Sequence, residues 1–265
     1  LPPDAAQLSL HADVLRIRRA GTPQARPLTR LVAGREAHPA LPPVGRERLR
    51  PCAVTMICCD IHTHCTPAEQ TASAVISVDV GEPFEPQPGR MYAVGIHPWH
   101  ADEERLPLLR RRAVHPQVVM IGEAGLDRLV GPPMKRQMAL FETQAELAEA
   151  VGKPMIIHCV RAWGELLDVR KRLRPAQPWV VHGFRGKGAL AEQLLQAGLS
   201  LSFGVRHRAE AVRAAWAAER LFVETDDKAI DIADVYADVA ASVGVPVEVL
   251  AHDVMSRFEV LIERG

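Results

Sequence analysis

Aromatic residues are scarce in this chain of 265 residues, at 5% of the composition, with only two Tyr. A base-stacking platform for single strands is therefore not expected. No apolar run approaches the roughly 18 residues that a membrane-spanning helix needs, so no such helix is expected. The first 30 residues hold no apolar stretch of the secretory type, so no signal peptide is expected either. The net charge is zero, so the totals lend no support to a polyanion partner. Five cysteines, two of them adjacent at Cys58 and Cys59, form no CxxC pair. That disfavours a disulfide scaffold and makes a reducing, cytoplasmic setting the expectation.

Hydrophobic residues at 48% and charged residues at 24% are ordinary for a globular chain, and the length suits one (β/α) barrel. The charge is unevenly spread. Residues 1–55 hold nine Arg, no Lys, four acids and eight Pro, a surplus of +5 that the remainder cancels. Proline at that density blocks long helices and central strands. Residues 1–55 are expected to be a mostly disordered extension, with His11–Ala20 as the one short helical candidate. The sequence begins at Leu1, and Met56 stands just before the first convincing strand. The extension is thus expected to lie outside the working protein, with a basic targeting arm or nucleic-acid tail as the alternative.

From Met56 onward, strand-like and helix-like runs alternate. Strands are expected at Ile57–Ile61, Ala74–Val78, Tyr92–Ile96, Val118–Glu123, Pro154–His158, Trp179–His182, Ser200–Phe203 and Leu221–Glu224. Helices are expected at Pro133–Val151, Ala162–Leu173, Gly188–Ala197, Ala209–Ala218, Ile230–Val243 and Val247–Ile262. Such alternation implies a parallel sheet with crossover helices: a compact (β/α) barrel over 56–265, or an open doubly wound sheet. The stretch His62–Ser73, with Pro67 inside, barely holds a helix, so the first βα unit is expected to be shortened.

The polar residues sit at the strand ends. Asp60, His62 and His64 share one face of an extended chain. Glu123 ends the fourth strand, His158 the fifth and His182 the sixth, and Asp226 follows the eighth. In a barrel these ends meet on one rim. Imidazole plus carboxylate suits Zn, Mn or Fe more than Ca. Six such ligands exceed what one catalytic zinc uses, so two ions about 3.5–4 Å apart with a bridging carboxylate fit better.

Several motifs recur in one order: Asp60-Ile-His62-Thr-His64, Gly95-Ile-His97-Pro98, Ile121-Gly-Glu123-Ala-Gly-Leu-Asp127, Gln144, Gly152-Lys153-Pro154 with His158, His182-Gly-Phe-Arg-Gly, and Glu224-Thr-Asp226. With them, 56–265 resembles the TatD family of metal-dependent hydrolases in the amidohydrolase superfamily. The resemblance implies a TIM-type barrel, two divalent metal ions (Mg, Mn or Zn) and a phosphodiesterase or deoxyribonuclease activity on DNA. It also implies that His62, His64 and Asp226 hold one metal, His158 and His182 the second, and that Glu123 bridges them. Glu123 stands where some related barrels carry a carboxylated lysine, which disfavours that variant. Two departures touch the substrate rim: the short first unit, and Asp227-Lys228-Ala229 in place of a Ser-Pro continuation.

The chemistry expected is attack by a metal-activated water in line with a leaving oxygen, with Asp226 orienting or deprotonating that water. His97 is expected to contact phosphate or donate a proton, or else to fix its loop. Arg161 and Arg185, each three residues past a ligand histidine, are candidates to clamp phosphate. Asp127 is expected to orient a ligand histidine or an arginine, and Asp60 to do the same under His62 or His64. Cys65 and Cys159 are expected to be small buried hydrophobes. DNA or another phosphodiester is the expected substrate, with no protein partner called for. The alternatives are hydrolysis of an amide or ester, such as an aminoacyl-tRNA, and a metal-stabilised binding scaffold without turnover.

Overall fold

The computed structural model describes residues 58–65 and 72–263; the extension 1–55, its helical candidate and most of the first crossover lie outside the described residues. Eight strands follow one another: β1 (Cys58–Thr63), β2 (Ala72–Asp79), β3 (Met91–Gly95), β4 (Val118–Asp127), β5 (Met155–Val160), β6 (Trp179–Val181), β7 (Ser200–Phe203) and β8 (Leu221–Val223). Each pairs in parallel with the next, in the order β1 to β8. The described helices are α1 (Leu106–Ala113), α2 (Met134–Val151), α3 (Trp163–Leu173), α4 (Gly188–Gln196), α5 (Ala209–Ala217), α6 (Ile232–Val243) and α7 (Val247–Glu263). None of them is by itself long and apolar enough to cross a membrane.

The ends of the sheet meet, which decides for the barrel over the open sheet. Thr63 of β1 bridges in parallel to Asp226, just past β8. His64 N donates to Asp226 O at 2.9 Å, and Asp226 N donates to His62 O at 3.0 Å. Asp226 reaches both because its φ is 58°, a left-handed conformation that Asp tolerates better than most residues. Further down, β1 and β8 show no further paired residues among those described. There the buried Tyr236 of α6 inserts its hydroxyl, which donates to Cys59 O at 2.8 Å and accepts from Cys59 N at 3.1 Å.

One described crossover differs from the strand–helix pattern, and the first lies mostly outside the described residues. Residues 64–71 alone link β1 to β2, and 80–90 link β2 to β3 without a helix. Between β3 and β4, by contrast, a single 3-10 turn (Glu103–Arg105) leads into α1. The sequence pattern did not reveal α1. Pro107 stands in its first turn, three arginines fill its last, and only Leu109 and Ala113 are buried, so its apolar stripe is thin.

Helix α2 buries the face expected from its spacing, Phe141, Ala145 and Ala148, together with two glutamines seven residues apart. Gln144 brackets the end of β3, accepting from Ile96 N at 2.8 Å and donating to Ile96 O at 3.0 Å. Gln137 does the same at Asp127, at 2.7 and 2.9 Å. A buried amide satisfied on both sides holds a strand end in one place. Phe141 packs edge-on against the buried Trp179 of β6, ring centres 5.2 Å apart.

Tyr236→Phe keeps the ring but leaves the Cys59 amide and carbonyl buried without partners. It is expected to cost about 1–3 kcal/mol, read as a lower urea midpoint at unchanged slope. An unchanged midpoint would show that the seam does not need the hydroxyl.

Candidate metal centre

Glu123 lies buried at the mouth of the barrel, and its two carboxylate oxygens face different partners. Oε2 is 3.5 Å from His62 Nε2 and 3.3 Å from His64 Nε2. Oε1 is 2.6 Å from His182 Nε2, 2.7 Å from His158 Nδ1 and 3.2 Å from His97 Nε2. Asp226 Oδ1 completes the first group, 3.6 Å from His62 Nε2 and 3.9 Å from His64 Nε2. Residues from β1, β4, β5, β6 and the end of β8 thus converge around one cavity of about 340 Å³. All six expected ligands are brought together.

The backbone permits this approach because β4 lacks side chains where it crosses its neighbour. Gly125 pairs with His158 at φ 155°, and a Cβ there would collide with the His158 carbonyl. Gly122, at φ 144°, lies in the same way against the Ile156 carbonyl. Flanked by these glycines, Glu123 sits close enough to β5 to touch His158.

The electrostatics suit a cation. Burial, and then the charge on His182, lowers the pKa of His62 and keeps its imidazole neutral, the form that ligates a metal. Glu123 is opposed by burial, yet the His182 charge and hydrogen bonds from His158, His182 and His64 hold it well below the usual carboxylate range. His182 is raised well above its ordinary value against burial, chiefly by Glu123.

The donor set passes a direct test of fit. His62 is fully buried, and neither of its ring nitrogens has a hydrogen-bond partner among the described residues; His182 Nδ1 is similarly orphaned. Leaving such atoms unpaired is costly. A cation between His62, His64 and Asp226 would satisfy the Nε2 atom. Imidazole and carboxylate donors suit a divalent ion such as Zn or Mn.

Carboxylates behind the cluster hold its rings. Asp127 Oδ2 lies 3.3 Å from His158 Nε2 and accepts from Trp99 Nε1 at 2.7 Å, so it orients a ligand histidine as expected. Asp60 acts differently from expectation. It accepts from Thr225 Oγ1 at 2.6 Å and from the backbone N–H groups of Thr225 and His62, bracing the barrel seam with no contact to an imidazole. Burial pushes its pKa up to about 7 despite these bonds.

Two carboxylates were missed in the sequence. Glu224 Oε1 accepts from Gly183 N at 2.6 Å and lies 3.7 Å from His182 Nδ1. Asp79 accepts from His97 N at 3.2 Å and from Arg105 at 3.0 Å, and faces His100 Nδ1 at 3.2 Å. Each is an acid at the end of an apolar strand, the same signal that marked Glu123.

The other sequence candidates fall around this centre. His97 joins it through Nε2. Its Nδ1 accepts the Trp99 backbone N–H at 3.3 Å, which assigns the ring proton to Nε2 and makes that atom a donor. Arg161 and Arg185 stand exposed on the loops after β5 and β6, outside the cavity lining. Cys159 is buried, and burial pushes its thiol up to about 12. Cys65 is exposed, contrary to expectation, because β1 ends at Thr63 and the chain leaves the barrel wall there.

A family model described as TatD related DNase matches residues 73–231, more than half of the chain. The chain is 39% identical over 122 residues to the 3'-5' ssDNA/RNA exonuclease TatD of Erwinia billingiae, covering 43% of this chain and 46% of that protein. It is 36% identical over 155 residues to a Mycobacterium tuberculosis protein named uncharacterized metal-dependent hydrolase TatD, covering 52% and 58%. The chain spans about half the length of the curated relatives it matches. In fold it resembles the TatD homologue YJJV of Escherichia coli, with a TM-score of 0.64 at 21% identity over 79% of this chain and 98% of that one.

Glu123→Gln removes the one charge that both ligand groups share. Bound metal, measured by elemental analysis, is expected to fall to background while the far-UV circular dichroism is retained. Undiminished metal in the variant would remove Glu123 from the centre.

Proposed function

The chain belongs to the TatD-related DNase family, and on that premise we propose that it is a divalent-metal-dependent phosphodiesterase acting on DNA. The observation that carries the reading is the split of Glu123, one carboxylate oxygen toward each group of donors. We assign two ions to the centre: His62, His64 and Asp226 would hold one, His158 and His182 the other, and Glu123 would serve both groups. Divalent cations held there supply Lewis acidity to a phosphoryl group and lower the pKa of water.

The chain's own residues do the positioning. Asp226 lines the cavity and is only partly buried, so it aligns the attacking water as well as serving as ligand. His97 lines the cavity with its Nε2–H turned to Glu123 Oε1 at 3.2 Å, and would exchange that bond for one to a phosphoryl or leaving oxygen. Asp79 holds His97 through its backbone and Trp99 through its Nδ1.

The rim favours a polyanion that the net charge conceals. Arg161, Arg185, Lys187, Arg206 and Arg208 are exposed on the loops after β5, β6 and β7. None of these cations pairs with a carboxylate among the described residues. Arg208 Nε donates to Arg185 O at 3.3 Å, which sets two of them side by side. A phosphate backbone crossing this arc would bring a diester toward the ligands. The names of the curated relatives, nucleases of single-stranded DNA and RNA, agree with that substrate class.

The test is cleavage of bis(p-nitrophenyl) phosphate and single-stranded DNA with Mn²⁺ or Mg²⁺ by the full chain. Activity is expected that EDTA and Glu123→Gln abolish; bound metal without cleavage of either substrate would count against the proposal. Replacing both Arg161 and Arg185 by Ala should raise KM for an oligonucleotide more than for the small diester. It should also reduce the slope of log KM against log salt by about 1.4, at ~0.7 per lost phosphate contact on single strands. An unchanged slope would take both arginines off the track.

A further inference from the structure

We propose that Trp99 is the stacking surface for an unpaired nucleobase next to the scissile phosphate, an assignment that rests on the phosphodiesterase reading above. The scarcity of aromatics gave no hint of such a surface, but the fold places one at the mouth. Trp99 lines the same cavity as His97, Glu123, His158 and His182 and is 49% exposed. Indole seldom stands half in water beside a charged cluster without a partner to cover it.

The ring is held, not loose. Its Nε1–H donates to Asp127 Oδ2 at 2.7 Å, and its backbone N–H donates to His97 Nδ1 at 3.3 Å. Its aromatic neighbours among the described residues are His97 and His158, ring centres 4.7 and 6.0 Å away at 80° and 77° to its plane. Neither lies flat upon it, so a planar group can. The distances put that group within one nucleotide of the ligand cluster.

The neighbouring loop after β4 also carries exposed apolar residues. Leu129 and Val130, 60% and 50% exposed, are tied through their backbone N–H groups to Asp127 Oδ1 at 2.7 and 3.1 Å. Gly131 brings this loop against the Trp99 backbone, where a Cβ would stand 2.9 Å from Pro98 O. One carboxylate thus anchors the indole, the two aliphatic residues and a ligand histidine. Set against the cationic arc beyond β5 to β7, the mouth offers charge to a phosphate and a flat apolar lip to what the phosphate carries. A nucleobase in a single strand has that flat face free, whereas one inside a duplex is already stacked.

The experiment compares two single strands of equal length and label, one with normal bases and one with abasic residues at the cleaved end. Trp99→Leu is expected to lower kcat/KM on the base-bearing strand about five- to a hundredfold, mainly through KM. The loss on the abasic strand should be at least several times smaller. Trp99→Phe, which keeps a ring but loses the N–H, should retain most of the preference for the base-bearing strand. Equal losses on both strands would overturn the assignment and reduce Trp99 to a support for Asp127 and His158. No loss on either strand would overturn it too. If the parent protein cleaves neither strand with metal, the phosphodiesterase reading fails first, and this assignment falls with it.

Discussion

Two backbone hydrogen bonds between the ends of β1 and β8 hold this molecule in its working shape. His64 N to Asp226 O and Asp226 N to His62 O close the barrel. The same three residues carry one group of metal donors. Closure and ligand placement are therefore one event: a barrel open at this seam would separate Asp226 from both histidines. The reinforcement follows from that. Asp60, Thr63 and Thr225 tie the seam with side-chain hydrogen bonds just below the rim, and the Tyr236 hydroxyl holds the Cys59 backbone deeper down.

Glu123 performs the complementary task across the barrel. Five imidazoles from β1, β3, β5 and β6 or the residues just past them point at one carboxylate. Like charges so close need a counter-charge, so the imidazoles cannot all be protonated. Burial lowers the pKa of His62, while Glu123 raises that of His182 against its burial. Ligation takes the neutral imidazole, so metal affinity depends on pH. The acids behind the rings, Asp127 and Glu224, restrict which nitrogen each histidine can present.

The mouth is asymmetric in a way that matters for the proposed substrate. Cations without carboxylate partners follow β5 to β7, Asp79 and Glu82 follow β2, and the apolar lip around Trp99 lies above β3 and β4. The two crossovers without described helices flank β2 on this same side. Helices between β4 and β8 thus support a regular wall, whereas the β1 to β3 side is built from short connections and the loop that carries His97 and Trp99.

All eight strands, and the six residues that the fold gathers at and around Glu123, were legible in the sequence. Strand ends that place His, Glu or Asp directly after apolar residues need only a parallel barrel to bring them onto one rim. Local chemistry determined that much: β-branched runs make strands, and a polar residue at their end leaves the core. Tertiary structure alone decided what depends on lateral neighbours and on the path of a loop. Register across β4 and β5 set which Glu123 oxygen each imidazole faces, and the Trp99 N–H made His97 Nε2 a donor. The seam turned Asp60 from an imidazole partner into a brace. The fold of the β3 and β4 loops tied Trp99, Leu129 and Val130 to one carboxylate, Asp127. Hydrophobic spacing reports which face of an element is buried; it carries no information about which exposed side chains from separate loops come to lie together.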